Sequence, residues 1–373
     1  MTQIYLNQAG TSWPKPEPVR AAVADAMTAP PEEWAGRIAD EHAEVAAAFG
    51  ITDPSRLLLT PGCSSALAVA ISDHEWASGD RIVVSGLEHH GLFGPVQRLA
   101  ARGVEAVVAP RTASASIALE AVEDELRRGG VRLVAATAAC NVTGELLPVA
   151  ELVALAHRYD ALCLIDAAQV AGWSPLDVAV LGADLLAFAG HKGPHAPSGI
   201  GGLYVAPGVS MNAPNAACEI PVVGTGQPCA PMPGYCDVGS IDRPALAGLR
   251  AGLRWVFDSQ RIHRLRHARE LIARLADGLR SLPGVKLHGP PEPERRMATL
   301  ALTIGGRTPG GIAAALSARG VIVSAGHQCA PLAHQTLGTA PDGVVRLSAG
   351  PANTEDDIDR TVEAMRTILA QPG

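Results

Sequence analysis

Seven short runs rich in Val, Ile and Leu recur through the first two thirds of the chain, and their spacing limits the fold more than any other feature. They are Arg56–Thr60, Arg81–Ser85, Val104–Val108, Val131–Ala136, Ala161–Asp166, Leu185–Ala189 and Gly201–Val205. Most are separated by Ala/Leu-rich stretches of helical period, such as Val149–Arg158. Continuous apolar runs suit strands buried on both faces, and strands alternating with helices imply a mostly parallel sheet covered on both sides. The expected class is α/β. In such sheets ligands bind beyond the carboxyl ends of the strands, so the residues after each run are where chemistry is sought.

The last third reads differently. A long amphipathic stretch from Pro244 to about Leu282 precedes expected strands at Val285–His288 and Ala298–Ile304. Thr308-Pro309 then opens a helix, a cap residue with proline in the first turn. Strands are expected around Val321–Ser324 and Val344–Ser348, and a final helix from Thr354, with Asp357 at capping-box spacing. The Pro/Glu-rich stretch Gly289–Arg295 reads as a surface loop. A chain of 373 residues exceeds what one core usually holds, so a smaller α/β domain is expected beside the larger one.

Charge and composition exclude several functions. A net charge of −7 leaves no basic footprint for nucleic acid or a membrane surface. No stretch approaches eighteen uninterrupted apolar residues, and the first residues lack the charged start and apolar core of a secretory signal. A soluble, cytoplasmic protein is expected. The seven cysteines are scattered without a CxxC pair, so neither a disulfide framework nor a structural zinc site is suggested. His191 and His195 stand four apart, but Pro194 and Pro197 argue against one helix presenting both, and no metal site is expected.

Of 30 basic residues only Lys15, Lys192 and Lys286 are lysines, leaving 30 − 3 = 27 arginines. Lys192 sits among Gly, Ala and Pro after the run Leu185–Ala189, where a surface charge is unexpected. A partly desolvated lysine forms a Schiff base; arginine does not. Asp166 ends the preceding run, and a buried carboxylate is costly unless it meets a partner such as a cationic ring nitrogen. Thr60–Ser65 supplies Gly and hydroxyls at a strand-to-helix turn, a natural phosphate cradle. His89 follows Arg81–Ser85 and offers a flat polar ring. Taken singly, each also fits a plain structural role: a helix-capping aspartate, a surface lysine, capping hydroxyls, a loop histidine.

Together these residues resemble the class V aminotransferase superfamily, and within it the cysteine desulfurases and selenocysteine lyases of the compact cysteine-loop branch. The matching segments run from YLNQAGTSWPKP at the start through TPGCSS (60–65), LEHH (87–90), CNVTGELLP (140–148), LIDAAQVAG (164–172) and AGHKGPHAPSGIGGLYV (189–205). DVGSIDRPALAGL (237–249), AGHQCAP (325–331) and VVRLSAGPANT (344–354) continue the series. The resemblance implies the pyridoxal-phosphate (PLP) dependent transferase fold, fold type I, with a mostly parallel seven-stranded sheet. It implies a large PLP-binding domain over 15–245 and a smaller domain from 246–373 with residues 1–14 as an arm.

Roles follow by position. Lys192 is expected to be the Schiff-base lysine and to move protons. Asp166 pairs with the pyridinium nitrogen, Gln169 bonds the ring oxygen and His89 stacks on the ring. Ser64, His191 and the backbone around Cys63 hold the phosphate of pyridoxal 5'-phosphate. Ser240 reaches the phosphate of a neighbouring subunit, which implies a homodimer with shared sites. Asn141 and Arg346 hold the substrate carboxylate. Cys329 attacks the sulfur of L-cysteine and becomes a persulfide, leaving alanine and passing sulfur to an acceptor protein. Three departures stand out: Ala189 where relatives place a serine, Ser324 where they often place an arginine, and Asp237–Ser240 for a Glu-x-Gly-Thr pattern. The competing readings are a PLP-dependent C–S lyase, aminotransferase or epimerase in which Cys329 is dispensable, and a PLP-binding scaffold without turnover.

Overall fold

The structure, a computed structural model, describes residues 3–112, 116–174, 176–209, 211 and 241–371. The chain runs from β1 (Ile4–Tyr5) into helices α1 (Glu17–Thr28) and α2 (Trp34–Ala47). β2 (Leu57–Thr60) leads into α3 (Cys63–Ser72), β3 (Arg81–Ser85) into α4 (His90–Arg98), and β4 (Glu105–Ala109) into α5 (Leu119–Arg127). β5 (Val131–Thr137), α6 (Val149–His157), β6 (Leu162–Asp166), the short α7 (Val178–Leu181), β7 (Leu185–Ala189) and β8 (Gly201–Val205) follow. All seven apolar runs are therefore strands, and they form one sheet of order β2-β8-β7-β6-β5-β3-β4. Pairing is parallel from β7 to β4, and only β8 runs against its neighbours.

Two apolar layers sandwich this sheet, as its continuous hydrophobic strands require. One gathers Phe49, Phe188, Leu152 and Leu186, with Phe49 and Phe188 stacked at 4.3 Å between ring centres. The other packs Leu67, Ile71 and Leu92 against Ile82, Leu133 and Leu203. At β3 the strand order reverses: β4 lies to one side, β5 to β7 to the other. A crevice opens at such a reversal, beyond the carboxyl ends of the strands.

The remaining elements are α8 (Arg243–Val256), α9 (Arg261–Arg280), β9 (Val285–His288), β10 (Thr299–Ile304), α10 (Pro309–Ser317), β11 (Val321–Ile322), β12 (Ser324–Gly326), α11 (Pro331–Leu337), β13 (Val344–Ser348) and α12 (Glu355–Ala370). An antiparallel sheet β12-β13-β10-β9 and a third core around Leu275, Leu300, Leu347 and Ile358 form the second layer system. Thr308 caps α10 through Gly311 N, and Thr354 with Asp357 forms the expected capping box on α12.

The amphipathic stretch from Pro244 to about Leu282 holds two helices, α8 and α9. Asp258 accepts from Gln260 N at 2.7 Å and pairs with Arg264 at 2.6 Å, so a side chain competes for the backbone and restarts the helix. Both pieces are amphipathic, which is why periodicity alone joins them. α8 packs into the first core, whereas α9 belongs to the third. The N-terminal residues also join the third core through Ile4 and Leu6, and β1 pairs with β11. Among the described residues, no helix is long and apolar enough to cross a membrane.

Candidate active site

Most of the chemically distinctive residues sit just beyond or at the end of a strand. Cys63 starts α3 after β2, His89 is the N-cap of α4 after β3, and Asn141 follows β5. Asp166 is the last residue of β6, and Lys192 lies three residues past β7. From the second layer, β13 contributes Arg346 and the turn after β12 contributes Cys329. These seven, together with Ser64, Gln169 and His191, line one cavity of about 550 Å³. Ala189 and Ser324, two of the three departures, line it too. Ser240 lies outside the described residues.

Asp166 is 2% exposed. Its Oδ1 accepts from Ala168 N at 2.9 Å and from the Cys63 thiol at 3.3 Å. Burial and the adjacent carboxylate push the Cys63 thiol well up, so it remains a donor. Beneath lies Glu88, wholly buried, accepting from Thr137 N at 3.0 Å and from the Ser85 hydroxyl. Burial raises Glu88 to about 8, so it is protonated at neutral pH. His89 takes the N–H of Gly91 on Nδ1 at 2.9 Å, which places the proton of the neutral ring on Nε2. Burial and nearby Lys192 keep that ring neutral by lowering its pKa.

The Lys192 loop is pinned by close backbone packing. A Cβ at Gly193 would lie 2.0 Å from the Ala171 carbonyl, and one at Gly252 of α8 would lie 1.8 Å from the Pro194 carbonyl. Only hydrogen fits at either contact. The Lys192 side chain makes no hydrogen bond to a described residue, and burial lowers its pKa against the opposing pull of Asp166. His191 and His195 are pushed by burial to about 4 and about 3, and each keeps a buried Nδ1 without a partner.

The opposite wall is organised around Arg346. This guanidinium is 4% exposed, donates to Asn141 O at 2.8 Å and to Asn7 Oδ1 at 3.0 Å, and leaves Nε unpaired. Burial lowers it to about 10, which still leaves it charged. Asn141 Nδ2 donates to the Gln328 carbonyl at 2.7 Å, and His90 N donates to the Cys329 carbonyl at 2.7 Å. Gln328 and Cys329 both adopt left-handed backbone, at φ 44° and 56°, a conformation that costs a non-glycine residue about 1–2 kcal/mol. Two tethers thus hold a strained turn and an exposed thiol over the cavity mouth. The His327 ring is bonded to the Pro341 carbonyl rather than to that thiol.

The residues fit an anionic, aromatic cofactor such as PLP. No side chain caps α3, so its first N–H groups and the hydroxyls of Ser64 and Ser65 are available to a phosphate beside the orphaned Nδ1 of His191. A fixed carboxylate and a lysine with depressed pKa complete the set. Gln169 is partly committed, its amide donating to Ala9 O at 3.2 Å. Sequence reasoning missed Asn7, Glu88, the Cys63 thiol and Lys15. Lysine scarcity, the signal that singled out Lys192, applied equally to Lys15. The others depend on distant partners that no local pattern reveals.

A family model described as aminotransferase class-V matches residues 5–361. A probable cysteine desulfurase of Mycolicibacterium paratuberculosis is 32% identical over 90% of this chain and 50% of its own length. A cysteine desulfurase of Escherichia coli O157:H7 is 30% identical over 78% of this chain and 71% of its own. The chain therefore spans about half the length of the mycobacterial relative. Among solved structures, the apo cysteine desulfurase of Thermococcus onnurineus NA1 superposes with a TM-score of 0.89 at 27% identity, covering 99% of this chain and 95% of that one.

Proposed function

Because the chain belongs to the class-V aminotransferase family, we propose that it is a PLP-dependent cysteine desulfurase, converting L-cysteine to L-alanine with transfer of sulfur to Cys329. The observation that carries this reading is one cavity lined by Lys192 and Asp166 on one wall and by Arg346 and Cys329 on the other. The desulfurase relatives support the same chemistry.

When bound, PLP supplies an electron sink that labilises bonds at the substrate α-carbon. Lys192 would hold it covalently and move protons, its depressed pKa leaving more of the amine free to act. Asp166 would face the ring nitrogen, Gln169 the ring oxygen and His89 the ring plane. The α3 N-terminus at Cys63 and Ser64, with His191, would take the phosphate, and Ser240 would reach a partner subunit's phosphate in a homodimer. Arg346 and Asn141 would seat the substrate carboxylate. The Cys329 thiolate would then attack the substrate sulfur: a sulfur–sulfur bond forms, the carbon–sulfur bond breaks, and protonation of the carbon gives alanine. A sulfur-acceptor protein would remove the persulfide. We take residues 15–245 as the cofactor-binding domain and 1–14 with 246–373 as the smaller one; the third core with Ile4 and Leu6 supports this from α9 onward, whereas α8 packs with the first core. The free thiols at Cys63, Cys140, Cys163 and Cys329 suit a reducing cytoplasm.

The test is product analysis with L-cysteine and a thiol reductant. Alanine and sulfide are expected in equal amounts, with Cys329→Ala losing about 100-fold or more in rate, the scale of a lost reacting group. Pyruvate and ammonia, or indifference to Cys329→Ala, would reassign the protein to C–S lyase chemistry. Selenocysteine in the same assay ranks the two chalcogens.

A further inference from the structure

The carbonyl of His191, one peptide before Lys192, receives an unusual set of donors. Ser12 N lies 3.0 Å from it, and the Thr11 hydroxyl, the Ser12 hydroxyl and the Lys15 ammonium each lie 3.1 Å away. A carbonyl oxygen has two lone pairs, so four donors exceed what it needs for satisfaction. Lys15 Nζ also donates to Ser12 Oγ at 2.9 Å, which turns that hydroxyl toward the same oxygen. Three of the four donors come from the N-terminal arm and the fourth, Lys15, from the residue that follows it, and the arm is itself anchored in the second layer: Ile4 and Tyr5 pair with Val321 and Ile322, and Ala9 N donates to Ser348 Oγ at 2.8 Å.

From this convergence we infer that Lys15 is a positioning residue for Lys192, its ammonium fastening the N-terminal arm to the peptide that carries Lys192 into the site. The inference rests on the reading of Lys192 as the cofactor-bearing lysine. Three points separate it from an ordinary surface lysine. Among the described residues, no carboxylate forms an ion pair with Lys15, so its charge is not spent on a salt bridge. It is half-buried, and burial brings its pKa down to about 8. Its chain otherwise prefers arginine, yet three compact N–H donors on one nitrogen can serve a carbonyl and a hydroxyl together, which a planar guanidinium does less readily.

The experiment exploits the three lysines. The full-length protein, freed of PLP, is labelled with formaldehyde and cyanoborohydride, and methylation of Lys192 and Lys286 is followed by peptide mass spectrometry. PLP dissociation from the loaded protein is measured alongside. For Lys15→Met we expect Lys192 methylation and PLP loss each to accelerate by about tenfold, the scale of one lost hydrogen bond from a charged donor, with Lys286 unchanged. Lys15→Arg should recover only part of the wild-type behaviour, because the charge returns but a planar guanidinium serves the two acceptors less readily. Should Lys15→Met fold poorly by thermal melting, Thr11→Val and Ser12→Ala, which remove the neighbouring donors, must show the same Lys192-specific change at smaller size. Lys192 methylation and PLP loss within about twofold of wild type in a well-folded Lys15→Met protein would overturn the inference. Failure of PLP to protect Lys192 from methylation in the wild type would instead overturn the cofactor-lysine reading, and the inference with it.

Discussion

At the scale of single residues, the site depends on which side chains keep or give up a proton. Cys63 is the least expected member: its thiol, buried and held protonated, is one of two donors to Asp166 Oδ1. Cys63→Ala would leave a buried carboxylate with one donor fewer, and the cost is expected near 1 kcal/mol, the low end for a lost hydrogen bond because a thiol is a weak donor. Thermal melting of the cofactor-free protein checks it, with Cys63→Ser expected to fall closer to wild type; equal melting of all three would show that the thiol contributes nothing. The residues legible in the sequence were those marked by position at a strand end, Asp166, Lys192 and His89. Glu88 and Asn7 were not, because their importance lies in contacts to Thr137 and Arg346, 49 and 339 residues away.

At the scale of elements, the strands of the large sheet were readable almost to the residue because each is a run of mostly apolar residues, and the caps at Thr308 and Thr354 because their chemistry is local; the one strand expected around Val321–Ser324 is instead two short strands in separate sheets. The break between α8 and α9 was not, since a hydrogen-bonded turn at Asp258 interrupts two helices of matching polarity. The strained turn at Gln328 and Cys329 was invisible as well: neither is a residue that favours left-handed backbone. Close packing at the lysine loop gives a sharp contrast between glycines. Gly193→Ala forces a methyl onto the Ala171 carbonyl and should cost about 1–3 kcal/mol or more. Gly310→Ala, in α10 with open space around it, should instead stabilise by up to about 1 kcal/mol. Urea denaturation of both variants decides: opposite shifts in midpoint are expected, and a neutral Gly193→Ala would mean the loop is looser than its contacts imply.

For the whole molecule, buried titratable groups set opposing limits on stability. His191, His195 and His288 have folded pKa values of about 4, 3 and 4, below the ordinary value near 6.5. The unfolded chain takes up these protons first, so their contribution is complete above about pH 6.5 and is lost as pH falls toward 4. Glu88 has the opposite sign: its folded value of about 8 lies above the ordinary 4.5, so stability is complete below about 4.5 and declines as pH rises through 8. Glu88→Gln should therefore melt at a higher temperature relative to wild type at pH 9 than at pH 5; parallel melting curves across that range would show that Glu88 is not the group responsible. The arm that joins both layers carries one more consequence. Residues 4–15 bond to partners at 191, 321–322 and 348, so most of their contacts await chain made hundreds of residues later. During synthesis the large sheet can assemble early, but the lysine loop is fully latched only after β13 has left the ribosome. Completeness of the chain is thereby written into the arm: a nascent chain stalled before residue 321 would leave the arm that grips His191 without any of its second-layer partners.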